Sequence, residues 1–562
     1  MGAGEPRTRK LTILAQDPSV RVHGRALTAE LAVPLEKLSA GPLGYRVHVI
    51  DYDATTDRLF APADQVDKDR YADVTDVNAL VEDAHFHQQN TYAIVMATLA
   101  RFERALGRRL SWSFGSHQIK VAPHAFADAN AFYSGRDEAL VFGYFAGRTG
   151  TVFSCLSHDV VAHETTHALV DGIRERYTDL SSPDQAAFHE GFADIVALLS
   201  VFSQPEVVNA ALDLHHPGEK TITRDALTRE KLRGGVLLGI AEQMGAELQL
   251  VRGNALRQSA TLKPSTQYLV QADFEEPHRR GEVLVAAMMN SFVEAWVRQL
   301  AELGDVGERR LDRAKVVQEG ADAAERLLTM GIRALDYAPT VDVQFGDFLS
   351  ALLTADVQVA PDDSRYHYRD LLRTTFASFG IAPTSPARGA EPGIWYEPEV
   401  APSYTGTHFE SLQREPNEVF RFLWENRDTL GLAPDPYTKV LSVRPTVRLG
   451  PDGFFVHETV AEYVQTVIVR ASELKAFGVR QPAGMPNDLE IHLHGGGALI
   501  FDEYGRLKYH VRSRLLSPRQ QRRIDYLWQT GAFEQTAPSS LHFALLHRRR
   551  ATDGRETYLE TW

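Results

Sequence analysis

The spacing of hydrophobic positions changes character twice along the chain. Over residues 1–80 apolar and polar residues alternate, most clearly in YRVHVIDYD at 45–53, which predicts half-buried strands. The stretch TDVNALVEDAHFHQQNTYAIVMATLARFERALG then takes up helical spacing. From 155 to about 380 most segments keep it, among them SPDQAAFHEGFADIVALLSVF, EVLVAAMMNSFVEAWVRQLAEL, DRAKVVQEGADAAERLLTMGIRAL and FGDFLSALLTADVQ. Residues 382–393, APTSPARGAEPG, have no period and are rich in Pro, Gly and Ala, the composition of a linker. Beyond it VFRFLWENRDTLGL predicts a helix, LGPDGFFV a hairpin, and LEIHLH and GALIFD two strands. The expected fold class is therefore α+β. It comprises an N-terminal α+β lobe at 1–157, a mainly helical lobe at 158–381, the linker at 382–393 and a smaller α+β domain at 394–562.

Length supports this division, because 562 residues exceed what a single core organises. A net charge of -14 argues against nucleic acid or an anionic membrane as the main partner. The single cysteine, Cys155, excludes an internal disulfide framework. No apolar run reaches the roughly 18 to 20 residues that span a bilayer, and LTILAQDPSV is too short for a signal-peptide core. The expectation is a cytoplasmic protein without membrane insertion.

The candidate chemistry lies in VVAHETTHALVDG at 160–172. On a helix, His163 and His167 lie one turn apart on one face and can direct two imidazoles at one ion, with Glu164 beside them as a base. A catalytic zinc takes three protein ligands and keeps a position open. Downstream, Ser182, Pro183 and Gln185 supply an N-cap, an N1 proline and a capping-box partner, so a helix starts there. Glu190 and Asp194 then fall at i and i+4. The first is a candidate ligand and the second a candidate acceptor for a histidine ring N–H. A metzincin would need Gly and His where Val170 and Ile173 stand, so that class is excluded. His189 is turned about 100° from Glu190 around the helix, which reads as packing or surface.

VVAHETTHALVDG followed by EGFAD resembles the thermolysin-like metallopeptidases. So do EDAHFHQQNTY at 82–92, NAFY at 130–133, NALRQ at 254–258 and EPHRRGEVLVAAM at 276–288, so that the resemblance covers roughly residues 80–380. It implies a two-lobed catalytic unit, one zinc per chain on His163, His167 and Glu190, and a peptide or protein substrate. Glu164 would be the general base, while His278 and Tyr177 would stabilise the oxyanion. Arg257 would hold the carbonyl beyond the scissile bond, and Asn130 with Ala131 would pair with extended substrate. Val160 and Leu256 would line an apolar primary pocket, implying cleavage before an apolar residue.

Two departures qualify the resemblance. The interval from His167 to Glu190 is about three residues longer than in thermolysin, and GYFAGRTG at 143–150 and VFSQPEVVN at 201–209 replace acidic clusters, so calcium is not expected. The absence of a GxMEN motif favours an endopeptidase over an aminopeptidase. A different class remains open: a zinc-containing binding or scaffold protein whose C-terminal domain carries the main role. Hydrolysis of a small ester or amide at the same zinc is a third reading. Deletion of 394–562 is expected to alter substrate range or rate without removing zinc.

Overall fold

The structure, a computed structural model, describes residues 8–533 apart from 19–20, 23, 65–68, 148–149, 180, 238–261, 387–390, 451–452 and 454. In the N-terminal lobe, β1 (Thr8–Leu14) pairs antiparallel with β2 (Thr28–Pro34), Leu11 opposite Leu31. Ala29, Leu31 and Val33 of β2 are buried at every second position, as a one-sided strand requires. A separate five-stranded sheet carries the site. In it β3 (Val47–Val49) and β4 (Ile119–Phe126) run parallel. β5 (Ala131–Ser134) and β6 (Ala139–Ala146) form an antiparallel pair, and β6 also lies parallel to β4 and antiparallel to β7 (Thr151–Phe153). Among the described residues β5 pairs with β6 on one side only.

α1 (Ala84–Leu106) runs between the sheets and the helical lobe and is buried from Phe86 to Leu99. Its ends follow local rules. Asp83 accepts the N–H groups of His85 and Phe86, and Gly107 closes the helix at φ 68°, a left-handed conformation that favours glycine. The helical lobe comprises α2 (His158–Ile173), α3 (Pro183–Phe202), α4 (Pro277–Ala301), α5 (Arg313–Ala334), α6 (Phe345–Val359) and α7 (Tyr368–Ser378). α3 begins as its sequence predicts: Ser182 accepts from the Gln185 N–H and Pro183 occupies the first turn. The capping box is not reciprocal, however. The Gln185 side chain donates instead to the carbonyls of Arg176 and Asp179, tying the α2–α3 connection to the helix start.

After α8 (Pro416–Glu425) comes an antiparallel meander of β8 (Tyr437–Leu449), β9 (Phe455–Arg470), β10 (Glu490–Phe501) and β11 (Leu507–Ser513), followed by α9 (Pro518–Gln529). Successive residues of its strands face opposite ways. Val460, Ala498, Ile500 and Val511 join the same core as the catalytic lobes, while Ala461, Tyr463, Leu499 and Phe501 pack with Val419, Phe422 and Leu423 of α8. Among the described residues no single helix is long and apolar enough to cross a membrane.

Candidate metal centre

α2 is buried on nearly every face, so its polar side chains need partners inside the protein. The two threonines between the histidines solve this locally, Thr165 donating to the Val161 carbonyl at 2.6 Å and Thr166 to that of Ala162 at 2.7 Å. The histidines turn the other way. His163 Nε2 and His167 Nε2 face each other at 2.9 Å, and the carboxylate of Glu190 on α3 lies 3.5 and 3.6 Å from them. All three residues are buried, and their ligand atoms fall within 4.8 Å of one another.

The outer nitrogens show which lone pairs are available. His163 Nδ1 lies 2.9 Å from Asp194 Oδ1, so the proton sits on Nδ1 and Nε2 keeps its lone pair. His167 Nδ1 lies 2.8 Å from His189 Nδ1. His167 can likewise direct a lone pair inward if His189 accepts that Nδ1 proton. Two imidazole lone pairs and a carboxylate converging in a buried space form a donor set that suits a cation, and their chemistry is that of zinc. His189, read from the sequence as packing or surface, is thus a buried partner of a ligand histidine. Its 100° offset from Glu190 directs it to the back of the His167 ring rather than to the ligand side. The adjacency of HE in EGFAD's helix was the only sequence signal.

Glu164 is buried beside this cluster, and its Oε2 accepts the backbone N–H of Tyr133 in β5 at 3.1 Å. The edge strand therefore touches the candidate base directly. Tyr133 is itself fixed from behind, with its hydroxyl 2.6 Å from Ser113 Oγ and 2.9 Å from Asp171 Oδ2.

His278 reaches the cluster from the first turn of α4. Its Nε2 lies 3.9 Å from Glu190 Oε2 and is buried without a hydrogen-bond partner among the described residues, while its Nδ1 is 2.7 Å from Glu276 Oε1. Burial pushes the Glu276 carboxyl up, but hydrogen bonds with His278 and the Arg279 backbone N–H prevail and hold it down at about 2. Two features bring α4 this close to α3. A Cβ on Gly191 would lie 3.0 Å from the Gly281 carbonyl oxygen, and one on Gly281 would lie 3.0 Å from that of Ala187, so the contact is backbone to backbone. In addition Arg280 Nε donates to Asp184 at 2.5 Å, joining the first turns of the two helices.

The remaining sequence candidates divide. Asn130 and Ala131 stand at the start of β5. Asn130 Oδ1 is buried with no hydrogen-bond partner among the described residues, and Ala131 is paired in register with Phe142. Val160 is fully buried on α2, one turn before His163. Arg257 and Leu256 lie outside the described residues. Tyr177 is not brought to the cluster. It is buried with its hydroxyl donated to the Pro339 carbonyl at 2.8 Å and its ring edge-on to Phe188, so it braces the core instead of offering an oxyanion donor. The altered length of the α2–α3 connection, which carries Tyr177, is the physical reason.

An HExxH pair closed by a glutamate from the following helix, on a sheet-plus-helix scaffold, defines a metallopeptidase centre. Residues 46–171, from β3 into α2, match the family described as thermolysin metallopeptidase, catalytic domain, which supports a thermolysin-like metallopeptidase over that part of the chain. That match ends before Glu190, so the third ligand rests on the geometry above. No curated protein matches the chain.

Proposed function

We propose that the chain is a zinc-dependent endopeptidase that cleaves before an apolar residue. The observation that carries this reading is the position of Glu164, held by a β5 N–H beside a buried His–His–Glu cluster that His278 faces. A purely structural metal site has no need of a base there. His163, His167 and Glu190 would hold the ion, which when bound supplies a Lewis acid. Glu164, positioned by the Tyr133 N–H, takes the proton of the attacking water and passes it to the leaving amine. His278 Nε2, its ring oriented by Glu276, donates to the developing oxyanion. The edge strand β5 takes the substrate as an added strand, with Asn130 and Ala131 as its first contacts. Val160 supports the apolar preference, to which the sequence adds Leu256, with Arg257 as the carbonyl clamp.

The test is peptide-library cleavage read by mass spectrometry with metal content measured in parallel. Glu164→Gln should retain zinc and fold while losing roughly 10²- to 10⁴-fold in turnover. His278→Ala should lower kcat more than it raises KM. Unchanged turnover in Glu164→Gln would overturn the proposal.

A further inference from the structure

A second set of ligand-type side chains lies in the N-terminal lobe, away from the residues above. His87 comes from the first turn of α1, His124 from β4, and Cys155 from the short 3-10 turn Ser154–Leu156 that leads into α2. All three are buried, and their ligand atoms lie within 4.8 Å of one another. His87 Nδ1 and His124 Nε2 face each other at 2.8 Å, the same close approach that His163 and His167 make at 2.9 Å.

The backs of the two rings are occupied in the way that metal-bound histidines require. His124 Nδ1 lies 2.9 and 3.0 Å from the carboxylate oxygens of Asp51, which also accepts from Gln88 Nε2 at 2.9 Å. His87 Nε2 lies 2.9 Å from the Val81 carbonyl oxygen. Each ring can therefore carry its proton on the outer nitrogen and turn a lone pair inward, towards the point at which the Cys155 sulfur is also directed. Phe153 packs against both rings, with centroids 4.7 Å from His87 and 5.3 Å from His124, and closes the space with apolar surface.

We propose that His87, His124 and Cys155 hold a second transition-metal ion, such as zinc, with Asp51 and Val81 orienting its histidines. Two imidazoles and a thiolate select a borderline or soft ion over calcium or magnesium. The charges also balance: a thiolate and the Asp51 carboxylate together offset a divalent cation in a buried space. Among the described residues no base like Glu164 accompanies this cluster, so its role is to join α1, β4 and the turn that starts the ligand helix.

The competing reading is a hydrogen-bond relay from Asp51 through both rings to Val81 with no metal, and cobalt(II) separates the two. Cys155 is the only cysteine in the chain, so a near-ultraviolet sulfur-to-cobalt charge-transfer band reports this site alone. The full-length protein loaded with cobalt should show the band, and loaded with zinc it should contain two ions. Cys155→Ser should lose the band and one zinc while peptide cleavage continues. Glu190→Gln should lose the other zinc and keep the band, so failure of the catalytic assignment would not resemble failure of this one. Cobalt-loaded wild type without the band overturns the proposal, and that measurement needs no variant to fold.

Discussion

His167 presents a lone pair to a metal only when its Nδ1 carries the proton, and His189 Nδ1 at 2.8 Å is the group that can accept the hydrogen bond from it. His189 must then be neutral, with its own proton on Nε2. Removing this acceptor leaves His167 free to adopt the wrong tautomer. His189→Ala should therefore weaken zinc binding about 10- to 100-fold, the usual effect of losing such a partner. His189→Gln, whose carbonyl oxygen can accept, should recover part of the loss. Chelator competition measures both, and equal zinc affinity in wild type and His189→Ala would show that the contact orients nothing. His163 gives the contrasting case. Its partner Asp194 is legible from sequence, because i,i+4 spacing from Glu190 places both carboxylates on one helix face. His189 is legible only once α2 and α3 are packed.

The same distinction separates the elements. The helix start at Ser182 is local, and the sequence shows it, whereas the helical spacing read from residue 75 onwards does not single out the cap at Asp83. The strand β5 is only four residues long and acquires meaning from the Tyr133 N–H that it gives Glu164, a contact between residues 31 apart. Tyr177 fails for a related reason: the resemblance fixes its order in the chain but not the path of the connection between α2 and α3. The contact of that connection with the loop between α5 and α6 also sets a pH dependence. Asp342, in that loop at φ 52°, accepts from Ser181 at 3.1 Å and is buried. Burial pushes its pKa from 3.8 up to about 6, with Arg519 opposing. A carboxyl whose folded pKa lies above its unfolded value contributes stability that is fully present below 3.8 and lost as pH rises through about 6. Asp342→Asn retains a residue that tolerates positive φ. It should raise the melting temperature at pH 8 and lose that advantage towards pH 4. An advantage independent of pH would assign the effect to something other than this carboxyl.

Read from sequence, residues 394–562 form a domain that can be deleted without disturbing the zinc, but the contacts made by its sheet argue otherwise. One face of the β8–β11 sheet supplies Val460, Ala498, Ile500, Tyr509 and Val511 to the core shared with the catalytic lobes. Charges cross the same boundary. The Arg448 guanidinium, fully buried, bridges Asp336 of the helical lobe and Glu458 of its own sheet. Arg174, which ends the ligand helix α2, is also fully buried and pairs with Glu462 at 3.1 Å. Arg444 donates to Glu462 and to the Ile173 carbonyl, each at 2.8 Å, so the C-terminal end of α2 is held by β8 and β9. Asp336 would retain Arg108 after truncation, but Arg174 would lose its carboxylate. Removing one partner from a buried pair costs about 3–5 kcal/mol, a large share of the roughly 5–15 kcal/mol that stabilises a typical protein. Exposure of the sheet-facing core adds to that cost. A chain ending at residue 393 should therefore be insoluble, or should melt well below the full-length protein, and should lose peptide cleavage as α2 loosens. The smaller change Glu462→Ala should lower the melting temperature and accelerate zinc loss to a chelator. A soluble 1–393 fragment with the full-length melting temperature and zinc content would show that the sheet is an attachment and not part of the scaffold that holds the metal centre.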